Sequence, residues 1–145
     1  MKLQKDLREF IELLNAREAR YLVVGAFAVA YHGHPRYTGD IDLFVDASVE
    51  NGQRLLSAIK DFGFSDTGLT LSDLTKPDQV IQLGVSPNRI DLMTFLSGVS
   101  FENAWASRDQ GEIDGVRVSF ISREMLKRNK LASGRFQDLA DLEHL

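Results

Sequence analysis

Two aspartates one residue apart, Asp40 and Asp42, are embedded in an apolar run that includes Ile41, Leu43, Phe44 and Val45, and this stretch constrains the chain more than any other. Side chains of a strand alternate between faces. If Ile41, Leu43 and Val45 turn to a core, Asp40 and Asp42 project together from the other side. Paired carboxylates repel, because a like charge nearby disfavours ionisation. A divalent cation between them relieves that repulsion; the plainer alternative is a solvated strand end. Upstream, the short apolar strand Tyr21 to Val24 ends at Gly25, and Ala26 to His32 reads as a short helix. A helix start reached through glycine offers free backbone N–H groups to a phosphate, although a simple turn glycine explains Gly25 equally well. A metal site and a phosphate site in one small unit point towards a nucleotide.

The rest of the chain is compatible with such a unit. Its 145 residues are expected to form one domain, 1–145, large enough to bury a sizeable core. Hydrophobic residues at 43% and charged residues at 26% match ordinary globular composition. The absence of cysteine excludes disulfides and zinc–thiolate sites. No apolar run has the length of a membrane span and the N-terminus lacks a signal-peptide core, so a cytoplasmic protein with no membrane partner is expected. A net charge of −4 argues against general coating of nucleic acid, but not against a local basic patch.

Residues 2 to 18 read as an amphipathic helix, with Leu3, Leu7, Phe10, Ile11 and Leu14 at helical spacing. The loop 33–39 then delivers the chain to the Asp40 to Asp46 strand. Ser48 is a candidate N-cap for a helix that Gly63 closes. Residues 64 to 77 read as loop or a single helical turn. Gln79 to Val85 and Arg89 to Phe95 form an antiparallel hairpin, whose second strand carries Asp91 on one face with Met93 and Phe95. An isolated buried carboxylate is costly, so Asp91 needs a partner: a metal shared with Asp40 and Asp42, or a cation such as Arg89. Ser100 to Ala106 reads as a short helix, and Asp114-Gly115 marks a tight hairpin returning through Val116 to Ile121, with a further short strand at Glu112 optional.

Beyond Ser122 the chain is helical. Arg123, Lys127 and Lys130 are spaced to share one face, and residues 117 to 135 carry six Lys/Arg against the single Glu124, a segment able to meet phosphate or RNA backbone. After Gly134 a last helix is expected to pack through Phe136, Leu139, Leu142 and Leu145, leaving Asp138 and Asp141 together on its other side. His32, His34 and His144 lack metal-ligand spacing and read as structural.

Taken together, strand, Gly25-Ala26, helix, Asp40-Ile41-Asp42 on the next strand and Asp91 on a later one resemble the nucleotidyltransferase superfamily, with its DNA polymerase beta-like fold and minimal nucleotidyltransferases. The segment Arg36 to Asp42 and the ending Lys130 to Asp141 look more specifically like its abortive-infection, AbiEii-like branch. The resemblance implies an α/β fold, α+β in the strict sense: a mixed β-sheet of five strand runs flanked by α-helices. It implies metal-dependent transfer of a nucleoside monophosphate from an NTP to an acceptor hydroxyl. Asp40, Asp42 and Asp91 would be catalytic residues holding two Mg²⁺ ions. Gly25, Ala26, Arg36, Thr38 and Lys130 would contact the nucleotide. The acceptor stays open among tRNA or other RNA, protein and small molecules. A toxin role with an antitoxin or regulatory protein as partner follows from the AbiEii-like branch. Ala26 stands where the family usually has Ser or Gly, leaving only backbone donors. A noncatalytic nucleotide- or partner-binding protein of the same fold is therefore the alternative.

Overall fold

In the computed structural model, residues 3–33, 39–63 and 68–145 are described. The elements follow in the order α1 (Lys5–Ala16), β1 (Tyr21–Val24), α2 (Gly25–Tyr31), β2 (Ile41–Val45), α3 (Val49–Phe62), α4 (Leu71–Thr75), β3 (Val80–Leu83), β4 (Ile90–Met93), α5 (Phe101–Ala106), β5 (Asp109–Ile113), β6 (Val116–Phe120), α6 (Arg123–Ser133) and α7 (Phe136–Leu142). The segment read as loop or a single turn contains α4, held by a reciprocal cap between Thr70 and Asp73. The optional strand at Glu112 is part of β5, so among the described residues the sheet has six strands, in the order β3-β4-β2-β1-β6-β5. It is mixed: β1 runs antiparallel to β2 and parallel to β6, while β2 runs parallel to β4.

Strand alternation divides the interior in two. Tyr21 and Val23 of β1, Ile41, Leu43 and Val45 of β2, and Ile90 and Leu92 of β4 join the larger core under α1, α3 and α4. Leu22, Val24 and Phe44 face the smaller core with residues of α2, α5 and α6. Asp42 and Asp91 take the alternate positions and so fall on this second face. The apolar positions of β2 thus direct its acidic one, as the sequence pattern predicts.

Helix α3 is tied to the sheet by a buried side chain that hydrophobic periodicity does not reveal. Asn51 Oδ1 accepts from the Arg20 amide at 2.7 Å, and Nδ2 donates to the carbonyls of Arg20 at 3.1 Å and Asp46 at 2.8 Å. It clamps the entry to β1 against the exit from β2. Ser48 caps the same helix by accepting from the Asn51 amide, and Gly63 ends it in the left-handed conformation.

Substituting Asn51→Ala leaves those three backbone groups without this partner. It should lower unfolding stability by roughly 2–4 kcal/mol, read from urea denaturation. A loss below about 0.5 kcal/mol would show that the clamp is not needed.

Candidate active site

Parallel pairing of β2 with β4 sets Asp42 directly opposite Asp91. On its other side Asp42 lies opposite Val24, the last residue of β1. The chain turns into α2 immediately after Val24, which places Gly25 against the Asp42 carboxylate. A Cβ at Gly25 would overlap that carboxylate, and its φ of +65° is one that side chains disfavour. Glycine is required here for close approach as well as for the turn.

The Asp42–Asp91 pair is electrostatically tense. Burial, together with the charge and hydrogen bonding of Asp91, pushes the Asp42 carboxyl up from 3.8 to about 6, opposed by the positive charges of Arg89 and Lys130. Asp91 is itself buried and is held by Arg89, whose Nε donates to Oδ1 at 2.8 Å and whose terminal nitrogen donates to Oδ2 at 3.1 Å. Asp40 lies just before β2 and makes different contacts. Its Oδ2 accepts from the Ser86 hydroxyl at 2.7 Å and its Oδ1 from the Arg89 amide at 3.0 Å, with the Arg89 guanidinium 3.7 Å away. The Ser86 hydrogen bond is the main cause of a lowered Asp40 pKa. Asp42 and Asp91 are therefore in direct contact, and Asp40 is linked to Asp91 through Arg89.

A cleft of about 440 Å³ opens above Asp42. Gly25, Lys130, Ser133 and Arg135 line it along with Asp42, while Val24, Met93, Phe95 and Leu96 supply apolar wall. Its far side is α6, seated against the loop after β4: Asn129 Nδ2 donates to the Ser97 carbonyl at 3.1 Å, and Gly98 leaves no room for a Cβ beside Ala132. Ala26 is adjacent but outside the lining. Arg36 and Thr38 lie outside the described residues.

Three sequence expectations about the C-terminal region are corrected. Lys130 does not share a solvated face with Arg123 and Lys127. It is 5% exposed, and its ammonium lies 3.1 Å from both Asp138 and Asp141. The last helix is also turned over relative to expectation: Asp138 and Asp141 are buried, whereas Phe136 is 93% and Leu139 42% exposed; of the four apolar residues expected to pack, Leu145 beyond the helix does so, against the smaller core. The cause is Lys130, whose charge needs counterions when buried; α7 turns its acidic stripe inward to supply them. Burial pushes Asp138 up, yet hydrogen bonds from Arg135, Ser133 and Lys130 outweigh it and hold the carboxyl well below the usual range. Nor do the cations of 117–135 form one patch. Arg117 lies on β6, Arg123 donates to the His32 carbonyl, and Lys130 and Arg135 are committed to α7. His32 is structural as expected, buried with Nε2 2.7 Å from the Ile121 carbonyl.

Among the described residues, no group of three or more His, Asp or Glu side chains is arranged to hold a metal on its own. The two facing carboxylates nevertheless fit magnesium, which is commonly bound by one or two carboxylates with substrate phosphates completing the shell. The tension at Asp42 is what a cation would relieve. Ser86 and Arg89 are the site residues that spacing did not single out for function. The usable signal was the position of Arg89 two residues before Asp91, on the same face of the strand.

No family model and no curated protein matches the chain. Solved structures do. One is a protein from Thermotoga maritima, TM1012, provisionally described as a nucleotidyltransferase: TM-score 0.61, 16% identity, covering 94% of this chain and 88% of that one. Another is the lincosamide antibiotic adenylyltransferase LnuA bound to lincomycin: TM-score 0.57, 14% identity, covering 99% of this chain and 97% of that one. At these identities the likeness is one of fold, and the fold is the nucleotidyltransferase-like mixed sheet flanked by helices.

Two outcomes follow from the Asp42 environment. Because its folded-state pKa lies above its ordinary value, its favourable contribution is complete below about pH 4 and is lost as pH rises through about 6. In chelator, Asp42→Asn should therefore be more stable than wild type at pH 8, by about 2–3 kcal/mol, with the advantage vanishing near pH 4. Urea melts at the two pH values decide this, and an equal difference at both refutes the electrostatic account. Gly25→Ala should destabilise by roughly 1–3 kcal/mol through backbone conformation alone, with carboxylate overlap adding to it; calorimetric melting showing no loss would contradict the close approach.

Proposed function

We propose that the protein is a metal-dependent nucleotidyltransferase, moving a nucleoside monophosphate from an NTP to an acceptor hydroxyl, with residues 1–145 acting as one domain. The observation that carries this reading is the pairing of Asp91 with Asp42, which lines the cleft together with Gly25 and Lys130, on a nucleotidyltransferase-like fold. Asp42 and Asp91, with Asp40 at the strand entry, would hold Mg²⁺, which neutralises phosphate charge and lowers the pKa of the attacking hydroxyl when bound.

The protein's own groups supply position and charge. Gly25 leaves space for the Asp42 carboxylate at the cleft. Lys130 presents its ammonium from α6, and Asp138 and Asp141 fix its direction, so it can meet phosphate oxygens without searching rotamers. Arg135, largely exposed and paired with Asp138, adds a second cation at the cleft. Ser86 and the Arg89 amide hold Asp40 at the entry to β2. Met93, Phe95 and Leu96 give apolar surface on which a base or an acceptor can rest.

For the acceptor, a small molecule is supported by the partly apolar cleft and by the likeness to an enzyme named for an antibiotic substrate. RNA, including tRNA, rests on a narrower basis, the exposed Arg123, Lys127 and Arg128 of α6. A toxin role with an antitoxin partner rests on the AbiEii-like resemblance alone. A second reading, nucleotide binding without transfer, is favoured by Ala26, which offers no hydroxyl, and by the prior engagement of Asp91 with Arg89.

Titration calorimetry of ATP, CTP, GTP and UTP with and without Mg²⁺ comes first, followed by turnover assays with candidate acceptors. Metal-dependent binding is expected, and Asp42→Asn should lower turnover by roughly 100-fold or more while the protein stays folded. Near-wild-type turnover in that variant would sink the catalytic reading, and nucleotide binding without any turnover would favour the second.

A further inference from the structure

We propose that the Arg89 guanidinium is a resident two-pronged occupant of the carboxylate site, competing with the divalent metal for Asp91 and Asp40 and thereby setting the affinity of the site for metal. The inference rests on the metal-dependent reading above and concerns a residue to which that reading assigns no role through its side chain.

The geometry is that of occupation rather than proximity. Both oxygens of Asp91 accept from the Arg89 fork, at 2.8 and 3.1 Å, and the same terminal nitrogen lies 3.7 Å from Asp40 Oδ2. A two-pronged guanidinium contact uses the in-plane lone pairs that a metal would need for bidentate ligation. The Asp91 side chain is only 10% exposed, which restricts approach from elsewhere. Strand geometry places the fork there, since Arg89 is two residues before Asp91 and shares its face. The backbone holds it in place: the Arg89 amide donates to Asp40 Oδ1, and the Ile41 amide donates to the Arg89 carbonyl, each at 3.0 Å.

A guanidinium does not lose its charge at any pH a protein tolerates, so bidentate entry of a metal at Asp91 must displace the fork. The measured affinity then equals the intrinsic affinity scaled by the fraction of molecules in which the fork has already left. Because both backbone bonds are independent of the Arg89 side chain, replacing that side chain leaves the turn and the strand entry attached.

The test measures Mn²⁺ binding alone, by loss of the free-ion electron paramagnetic resonance signal, on full-length wild type, Arg89→Gln and Arg89→Lys. Arg89→Gln should bind roughly tenfold more tightly than wild type. Arg89→Lys should also gain, because it keeps the charge but loses the fork. Equal affinity in all three overturns the role of Arg89 alone. A gain in Arg89→Gln with none in Arg89→Lys also overturns it, assigning the effect to net charge. Absence of Mn²⁺ binding in all three overturns this inference and the metal-dependent reading together. An independent arm needs no variant: on titrating wild type with Mg²⁺, the Arg89 Nε–H nuclear magnetic resonance signal should move from a hydrogen-bonded to a solvent-exposed position. A signal unmoved at saturation counts decisively against displacement.

Discussion

The register between β2 and β4 is the constraint on which the rest of the site depends. Parallel pairing puts Asp42 opposite Asp91, so two acids that ordinary packing would separate are held together by backbone hydrogen bonds and by the burial of Ile41, Leu43, Ile90 and Leu92 beneath them. A one-residue slip would send the acids into the larger core and the aliphatic side chains out of it. Hydrophobic burial thus enforces an electrostatic arrangement that is unfavourable by itself. The surroundings answer it with cations, Arg89 in direct contact with Asp91 and Lys130 acting on Asp42 across the cleft.

The C-terminal helices follow the same logic with the signs reversed. A buried ammonium on α6 requires buried carboxylates, and α7 provides two at the cost of leaving Phe136 and Leu139 in solvent. The preference of apolar side chains for the interior is worth about 1.5–3 kcal/mol each, whereas an unpaired buried charge costs several kcal/mol. The ionic requirement therefore decides which face of a short helix turns inward.

This explains which parts of the molecule were legible from sequence. The alternation through β2 and β4 was readable because polar side chains interrupt one face of each strand, and it placed Asp42 and Asp91 on the side opposite the larger core. The glycine at the start of α2 was also readable, although its close approach to Asp42 was not, since that depends on cross-strand pairing with Val24. Helical periodicity failed at α7 because it weighs hydrophobicity and cannot know that Lys130 is buried. It likewise grouped the cations of residues 117–135 by spacing, when Arg123 reaches His32 just after α2 and Lys130 and Arg135 reach α7. Asn51 and Ser86 escaped notice because a polar side chain serving distant backbone or a distant carboxylate has no periodic signature.

The inverted attachment of α7 makes the cleft wall dependent on protonation state. A helix seated on apolar side chains is held by burial alone; α7 is held as well by charge, through Asp138 and Asp141 on Lys130. Asp138 stays charged well below the usual carboxylate range, so its hold on Lys130 persists through ordinary pH and fails only in strong acid. The terminal helix thus behaves as an ionic latch on the cleft, held by a carboxylate that keeps its charge where ordinary carboxylates have lost theirs.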